Sequence, residues 1–390
     1  MDGAKNKRIV LAVTNDLVTD KRVHRSCLAL HEDGFEVTLI GRHLPDSIPV
    51  HRPYRTLRMH LLFRNKALFY AEYNLRLLLR LLTLPADVFY ANDTDTLPAV
   101  YMATVMRRKR IMFDAHELFT EVPELANRPR VKYIWRVIED FFMPRLVKRQ
   151  ATTFTVCHSI ADIYNRRYGL KMQVVRNVPL PYDASTVRPY ELPQAEGRHV
   201  LLYQGAVNMG RGIEWMLTAM PLLNDCLFVV AGVGDLYDDM RQLSSRLGVD
   251  DRVLFLGRLE PEELRRVTCR ADLGISLLEN KGLNYYYSLP NRLADFVQAG
   301  VPVLATDFPE IRRVVSQYEV GTLLADGSTD PVSVSTAVRE ALLYWQQLPA
   351  EVRQARFARA AAELSWEHDK VTLVQATHAI FEENKRFETL

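Results

Sequence analysis

Residues 8–41 read RIVLAVTNDLVTDKRVHRSCLALHEDGFEVTLIG. Arg8–Thr14 is an unbroken aliphatic run, the composition of a strand buried on both faces. Asp20 is a helix-capping residue type, and Val23, Leu28 and Leu30 follow at helical spacing until Gly34 ends the pattern. Glu36–Gly41 is a second strand. Strand, helix and strand in this order make a βαβ unit, and strands alternating with helices imply a parallel sheet. The rhythm continues through strands expected at Asp87–Tyr90, Arg110–Asp114 and Thr153–Val156. It breaks at residues 177–198, where Asn177-Val-Pro-Leu-Pro181 and the polar stretch from Pro189 to Gly197 have linker composition. A second series then starts, with strands expected at His199–Gln204, Leu227–Ala231, Arg252–Leu256, Leu273–Leu277 and Pro302–Ala305. Residues 331–387 read as helical, with a break at Leu348-Pro349. The fold class is α/β, two doubly wound domains facing a central cleft, and that cleft is the expected site.

The chain has 390 residues, enough for two or three domains, and is 48% hydrophobic and 25% charged. These values exclude a disordered chain, a collagen-like repeat and a coiled-coil rod. Cys27, Cys157, Cys226 and Cys269 stand far apart without metal-ligand spacing, so neither a zinc site nor a disulfide framework is expected. Met1–Arg8 is polar and no apolar run approaches the ~18 residues of a membrane span, so a cytoplasmic location is expected.

The net charge of +3 conceals an asymmetry. Residues 1–195 carry 30 Lys and Arg against 20 Asp and Glu, whereas residues 196–390 carry 20 against 27. The first half therefore expects an anionic partner. Within it, residues 52–82 hold Arg52, Arg55, Arg58, Arg64, Lys66, Arg76 and Arg80 against Glu72 alone, interleaved with leucines and phenylalanines. Basic plus apolar is the composition of a surface lying on anionic lipid, at the inner face of a membrane. A sheet-packing helix with a solvated basic face reads the same residues equally well. No helix-turn-helix, zinc or RNP-type motif accompanies the charge, so no nucleic-acid partner is expected.

The strongest local signal is Tyr203-Gln-Gly-Ala-Val-Asn-Met-Gly-Arg-Gly212. A strand runs into a turn holding Gly205, Gly210 and Gly212, and a helix starts near Ile213. Glycines admit a ligand close to the backbone, a helix N-terminus offers free N–H groups, and Arg211 adds a fork suited to phosphate oxygens. A plain strand-to-helix turn with a solvated arginine is the alternative. Val230-Ala-Gly-Val-Gly-Asp235 lacks the third glycine of a dinucleotide fingerprint and reads as a packing turn. Phe255-Leu-Gly-Arg258 places Arg258 at a strand end. In Leu289-Pro-Asn-Arg-Leu-Ala-Asp295 a helix begins near Pro290. Arg292 can hold phosphate and Asp295 a diol, or the two can pair with each other across one turn. His116, in Phe113-Asp-Ala-His-Glu117, stands at a strand's C-terminal end, where ligands bind; Asn15, Asp16, Asp20 and Arg22 occupy the first loop on the same edge. No Ser-His-Asp or Cys-His arrangement and no carboxylate cluster for a metal is apparent.

Taken together, Asn15-Asp-Leu-Val-Thr-Asp-Lys-Arg-Val-His24, Phe113-Asp-Ala-His-Glu117, Gln204-Gly through Gly-Arg-Gly212, Phe255-Leu-Gly-Arg258 and Leu289-Pro-Asn-Arg-Leu293 through Ala299-Gly-Val-Pro-Val303 resemble family 4 of the retaining glycosyltransferases, in the family's order. The likeness is to bacterial members of surface-polysaccharide synthesis, and Leu364-Ser-Trp-Glu367 is similar to the opening of the family's last helix. The resemblance implies a GT-B architecture of two Rossmann-like domains: residues 1–180, joined by a C-terminal helix at about 366–390, for the acceptor, and residues 197–365 for a nucleotide-sugar donor. It implies a sugar moved to a glycan or lipid-linked acceptor with retention, without metal or other cofactor. Gly205, Gly210, Arg211, Gly212, Arg258, Asn291 and Arg292 would bind the donor's nucleotide and diphosphate, Asp295 its ribose, and His116 its sugar. Asn15, Asp16, Asp20 and Arg22 would face the acceptor.

Three features depart from the family pattern. Its two glutamates, eight positions apart, fall on Tyr287 and Asp295; its arginine after the first glycine is Ala206; its glycine-rich first loop is Asn15-Asp-Leu-Val-Thr-Asp20. Glu279, earlier in the same loop as Tyr287, is the candidate for the missing carboxylate. A non-catalytic nucleotide-sugar-binding partner protein with an eroded site is the competing expectation. An epimerase lacks its carboxylate set, and an NAD-linked oxidoreductase lacks GxGxxG in the first turn.

Overall fold

The structure, a computed structural model, describes residues 7–388 other than 19, 123, 124, 126 and 127. Thr19 of the first loop and the extreme ends of the expected first domain (residues 1–6, 389 and 390) lie outside the described residues. Two compact units divide the chain: residues up to Asn177 together with those from Asp369 onward, and Val178–His368.

The first unit is a seven-stranded parallel sheet of β1 (Arg8–Ala12), β2 (Glu36–His43), β3 (Arg55–His60), β4 (Val88–Asn92), β5 (Arg110–Ala115), β6 (Thr152–Thr155) and β7 (Gln173–Val174), in the order β3-β2-β1-β4-β5-β6-β7. The second is a six-stranded sheet of β8 (His199–Gln204), β9 (Cys226–Ala231), β10 (Val253–Gly257), β11 (Leu273–Ser276), β12 (Val303–Thr306) and β13 (Gly321–Leu324), in the order β10-β9-β8-β11-β12-β13. Strand order reverses between β1 and β4 and again between β8 and β11. Loops leaving the carboxyl ends of strands at such points diverge and leave a crevice for ligand.

The period-two alternation of buried strands builds the second unit's core on both faces. Val200 and Leu202 of β8 join Leu227 and Val229 of β9 on one side. Leu201 and Tyr203 join Phe228 and Val230 on the other. A helix can lie directly on β11 because residue 274 is glycine: a Cβ there would come within 2.5 Å of the Phe296 ring.

Local differences from the sequence reading have local causes. Residues 52–82 are not one surface. Arg55–His60 forms edge strand β3, whose polar alternation buries only Met59 and so hides it. The helix Lys66–Thr83 buries Phe69, Tyr73, Leu77 and Leu81 at four-residue spacing and leaves Leu68, Leu75 and Leu79 exposed. Strand β13 is another short edge the reading missed. The C-terminal stretch breaks again at Leu364-Ser365, between helices Ala350–Glu363 and Trp366–Glu388, where the resemblance had the last helix open. Within the last helix Asp369 binds Arg176, Oδ1 to Nη2 at 2.6 Å, which fastens that helix to the end of the first unit's sheet.

Candidate functional site

In the second unit β8 ends at Gly205, whose φ of +124° is open to glycine, and the loop closes at Gly212 (φ +69°), the cap of the helix Ile213–Ala219. The turn after β9 packs onto this loop: a Cβ on Gly232 would fall 1.9 Å from the Gly205 carbonyl oxygen. Val230–Asp235 is thus a packing turn that leaves the Gly205 loop lying close against the sheet.

Two guanidinium groups converge on the loop. Arg292, in the first turn of the helix Asn291–Gln298, is 7% exposed and stacks with Cζ 4.3 Å from the Tyr203 ring centroid. Its Nη2 lies 3.7 Å from where a Cβ on Gly205 would stand. Arg211 stacks on Tyr285 with Cζ 4.7 Å from the ring centroid. Among the described residues neither has a carboxylate partner, and Arg292 Nη1 and Arg211 Nε are buried without a hydrogen bond. Burial pulls the Arg292 pKa below its ordinary value; Tyr203 opposes this, and the Arg211 charge adds to it. Two like charges with unused donors and no carboxylate partner among the described residues are an unbalanced arrangement that an anion with several oxygens would balance.

Asp295 does not pair with Arg292. Its Oδ2 accepts from Gln204 Nε2 at 3.0 Å, and Gln204 in turn accepts from Thr268 Oγ1 at 2.8 Å. The helix therefore straddles the end of β8, with Arg292 over Tyr203 and Asp295 against Gln204. Gly210 joins through its backbone, its carbonyl accepting the Glu279 N–H at 3.0 Å. The Glu279 carboxylate itself is about two-fifths exposed and lies 2.7 Å from Lys281 Nζ. Asn291 is exposed at the helix start. Arg258 is exposed beyond edge strand β10, with no hydrogen bond or ion pair joining it to the other two arginines.

In the first unit His116 follows β5 directly. Its Nδ1 is 3.1 Å from Asp93 Oδ2, and its backbone N–H donates to Asp93 Oδ1 at 2.8 Å. Nε2 lies 3.4 Å from Asp114 Oδ2 without hydrogen-bond alignment. Asp93 adopts a φ of +62°, a strained backbone that aims its carboxylate at the imidazole. Burial lowers the His116 pKa, but Asp93 and then Asp114 outweigh it and carry it up to about 10. At neutral pH the ring is a fixed cation rather than a base.

The first loop needs two corrections. Arg22 is 5% exposed and grips Asp114 with Nη2 at 2.8 and 2.9 Å, while Nη1 donates to the Val175 carbonyl at 2.7 Å. Its hydrogen bonds go to Asp114 and Val175, and it holds Asp114 far below the usual carboxylate range despite burial. Asp20 caps the helix Lys21–Glu32 through the Val23 N–H at 3.0 Å and accepts Asn15 Nδ2 with its other oxygen. Asp16 is held by Arg58 at 3.3 Å and by the Ser47 hydroxyl. Of the four, Asn15 is the most exposed.

The sequence reading passed over the supports within each unit: in the second, Tyr203 and Tyr285 under the arginines and Gln204 against Asp295; in the first, the carboxylates of Asp93 and Asp114 around His116. Asp93 alone carried a signal, an Asn-Asp pair ending a strand.

Residues 20–185 match the family model described as Glycosyltransferase Family 4, and residues 198–343 match Glycosyl transferases group 1. Among curated proteins, an uncharacterized glycosyltransferase of Methanocaldococcus jannaschii, MJ1607, is 26% identical over 37% of this chain and 36% of its own length. Alpha-monoglucosyldiacylglycerol synthase of Streptococcus pneumoniae is 28% identical over 33% of this chain and 29% of its own. The matched segments thus span about a third of those relatives. Sucrose-phosphate synthase from Thermosynechococcus elongatus superposes over 97% of this chain and all of that one, at a TM-score of 0.76 and 17% identity. Anabaena Alr3699/HepE, solved with UDP-glucose, superposes over 97% and 99%, at 0.67 and 14%. The chain is thus similar to Glycosyltransferase Family 4 over residues 20–185 and to Glycosyl transferases group 1 over residues 198–343, on the GT-B fold of two Rossmann-like domains.

Proposed function

We propose that this protein moves a sugar from a nucleoside-diphosphate sugar to a glycan or lipid-linked saccharide, with retention of the anomeric configuration, in surface-polysaccharide synthesis. The observation that carries the reading is the Arg211–Arg292 pair at the Gly205 loop, Arg292 buried, Arg211 half-buried with its Nε enclosed, and neither with a carboxylate partner among the described residues. A diphosphate supplies the missing negative charge, and the two forks meet it without a metal ion. Asp295 accepts from the ribose hydroxyls. As the bond from the anomeric carbon to the diphosphate breaks, charge grows on the leaving oxygens, where Arg211 and Arg292 stabilise it. The acceptor hydroxyl forms the new bond on the same face and gives its proton to the departing diphosphate. His116 contributes a fixed positive charge at the transferred sugar. The UDP-glucose held by the Anabaena protein and the lipid acceptor in the streptococcal relative's name support the donor and acceptor classes.

Among the described residues no helix is long and apolar enough to cross a membrane. In this reading the protein works at the inner membrane face, held peripherally by Arg64, Lys66, Arg76 and Arg80 with the exposed leucines of the helix Lys66–Thr83. Failure of anionic vesicles to sediment the protein at low salt would remove that part.

Titration with UDP, GDP, ADP and their sugar conjugates in the presence of a chelator, read by thermal stability, tests the donor site. A shift with one diphosphate supports it; none with any refutes it. The pairing of Glu279 with Lys281, and Tyr287 where the family has a carboxylate, favour a second reading, a nucleotide-sugar-binding partner without turnover. Donor hydrolysis or transfer above background separates the two.

A further inference from the structure

Strands β2 and β3 end side by side, and their last residues, His43 and His60, are register partners. Their rings stack with centroids 4.3 Å apart and planes at 27°. Beside them a cavity of about 320 Å³ is lined by these two histidines, Arg42, Arg64 and five apolar side chains that include Phe63 and Phe69; no acidic side chain lines it. Arg42 lies 4.9 Å from the Phe69 ring centroid, and its buried Nε has no hydrogen-bond partner. The side chains of Arg64, His43 and His60 likewise make no hydrogen bond or ion pair among the described residues. The nearby acids are engaged elsewhere: Asp16 with Arg58, and Glu72 with the Leu62 and Phe63 N–H groups and Arg76. Leu62, 78% exposed, and Leu68, 59% exposed, flank the lining residues in sequence.

We propose that this cavity binds a phosphate group carried on an apolar chain. Two guanidiniums and two imidazole N–H groups converge without competing acids, which fits phosphate oxygens. The aromatic and aliphatic wall fits the first few carbons of the chain, and the exposed leucines continue that surface outward. None of the donor-site or first-loop residues takes part, so this is a separate anion site in the first unit. Its service as the seat of the acceptor's carrier phosphate rests on the transferase reading; the binding itself does not. Two sources share this chemistry, a bilayer phospholipid headgroup and an individual carrier-lipid phosphate.

The test is calorimetric titration of the full chain with decyl phosphate below its aggregation threshold, beside decanol and inorganic phosphate. Saturable binding of decyl phosphate at least ~10-fold tighter than either is expected, on the scale of charge-assisted hydrogen bonds plus burial of a short chain. Arg42→Gln with Arg64→Gln should weaken it ~10-fold or more and leave the UDP response intact. Arg64→Gln and His60→Ala, both at exposed positions, carry the test if Arg42→Gln unfolds the protein. Binding indifferent to these substitutions, equal binding of decanol, or loss in Arg292→Met instead overturns the site. Sedimentation with phosphatidylglycerol vesicles assigns the source: loss in the double variant supports a headgroup site, and retention alongside lost decyl phosphate binding supports an individual carrier phosphate. Decyl phosphate binding without any nucleotide response would leave the cavity standing and bring down the transferase reading.

Discussion

Replacing Arg292 by methionine separates binding from folding in a way few substitutions can. The guanidinium is buried, stacked on Tyr203, close to Arg211, and opposed by no carboxylate. A base whose pKa is lowered on folding binds its proton more tightly in the unfolded chain, so it costs stability wherever it stays charged. Methionine removes that cost and keeps an apolar contact with the ring. The lost cation–π contact returns about 0.5–2 kcal/mol in the other direction. The free variant is therefore expected to be as stable as the parent or more so, by up to about 2 kcal/mol. Nucleotide binding moves the opposite way. Each charge-assisted hydrogen bond to a diphosphate oxygen is worth about 1.5–3 kcal/mol, so losing one raises the UDP dissociation constant roughly 10- to 150-fold. Denaturant unfolding without ligand and calorimetric titration with UDP read the two effects. Unchanged UDP affinity, or a stability loss beyond about 2 kcal/mol, refutes the reasoning that this charge is kept for an anion.

His116→Ala should leave UDP affinity unchanged and cut transfer by ~100-fold or more, measured as initial rates with the donor that the titration identifies. The imidazole resonances of His116 should stay flat between pH 6 and 8.5 and titrate near 10; because the folded pKa is raised, its contribution to stability is complete below the unfolded value and fades as pH climbs through 10. Asp114→Asn leaves Arg22 buried beside a neutral partner and should cost ~3–5 kcal/mol in denaturant unfolding. Glu139 is pushed up to about 7 by burial, so the native state loses stability as pH rises through that value; Glu139→Gln should gain ~1–3 kcal/mol more at pH 8 than at pH 5.

What the sequence discloses and what it hides follow from how each feature is encoded. Strand β8 was predicted residue for residue, because a strand buried on both faces is a mostly apolar run, here Val200–Tyr203 at its heart, ended by glycine. Edge strands β3 and β13 escaped because one exposed face admits Arg, His and Thr, and the pattern dissolves. Arg211 and Arg292 were legible as candidates from their loop and helix start. That both lack acids was not, because partners are set by long-range packing. Asp295 and Arg292, three apart on one helix, should meet by local rules; the end of β8 comes between them and gives each a different neighbour. Arg22 failed for the same reason in reverse: its partner is 92 residues away.

The two buried arginines bear on function through that contrast. Arg22 and Arg292 are nearly equally inaccessible, at 5% and 7% exposure. Around Arg22 the charges close on themselves: Asp114 takes the guanidinium, His116 leans on Asp114, and Asp93 takes the other side of His116. Such a chain fixes its members in place, and its outer two, His116 and Asp93, are the ones left partly open to solvent. Around Arg292 the chain never closes. The guanidinium meets a ring, a glycine and a second guanidinium, none of which neutralises it. Burying an uncompensated charge opposes folding, so its presence needs a reason outside the folded chain itself. A polyanionic ligand provides that reason, because binding then relieves a repulsion already present in the free protein.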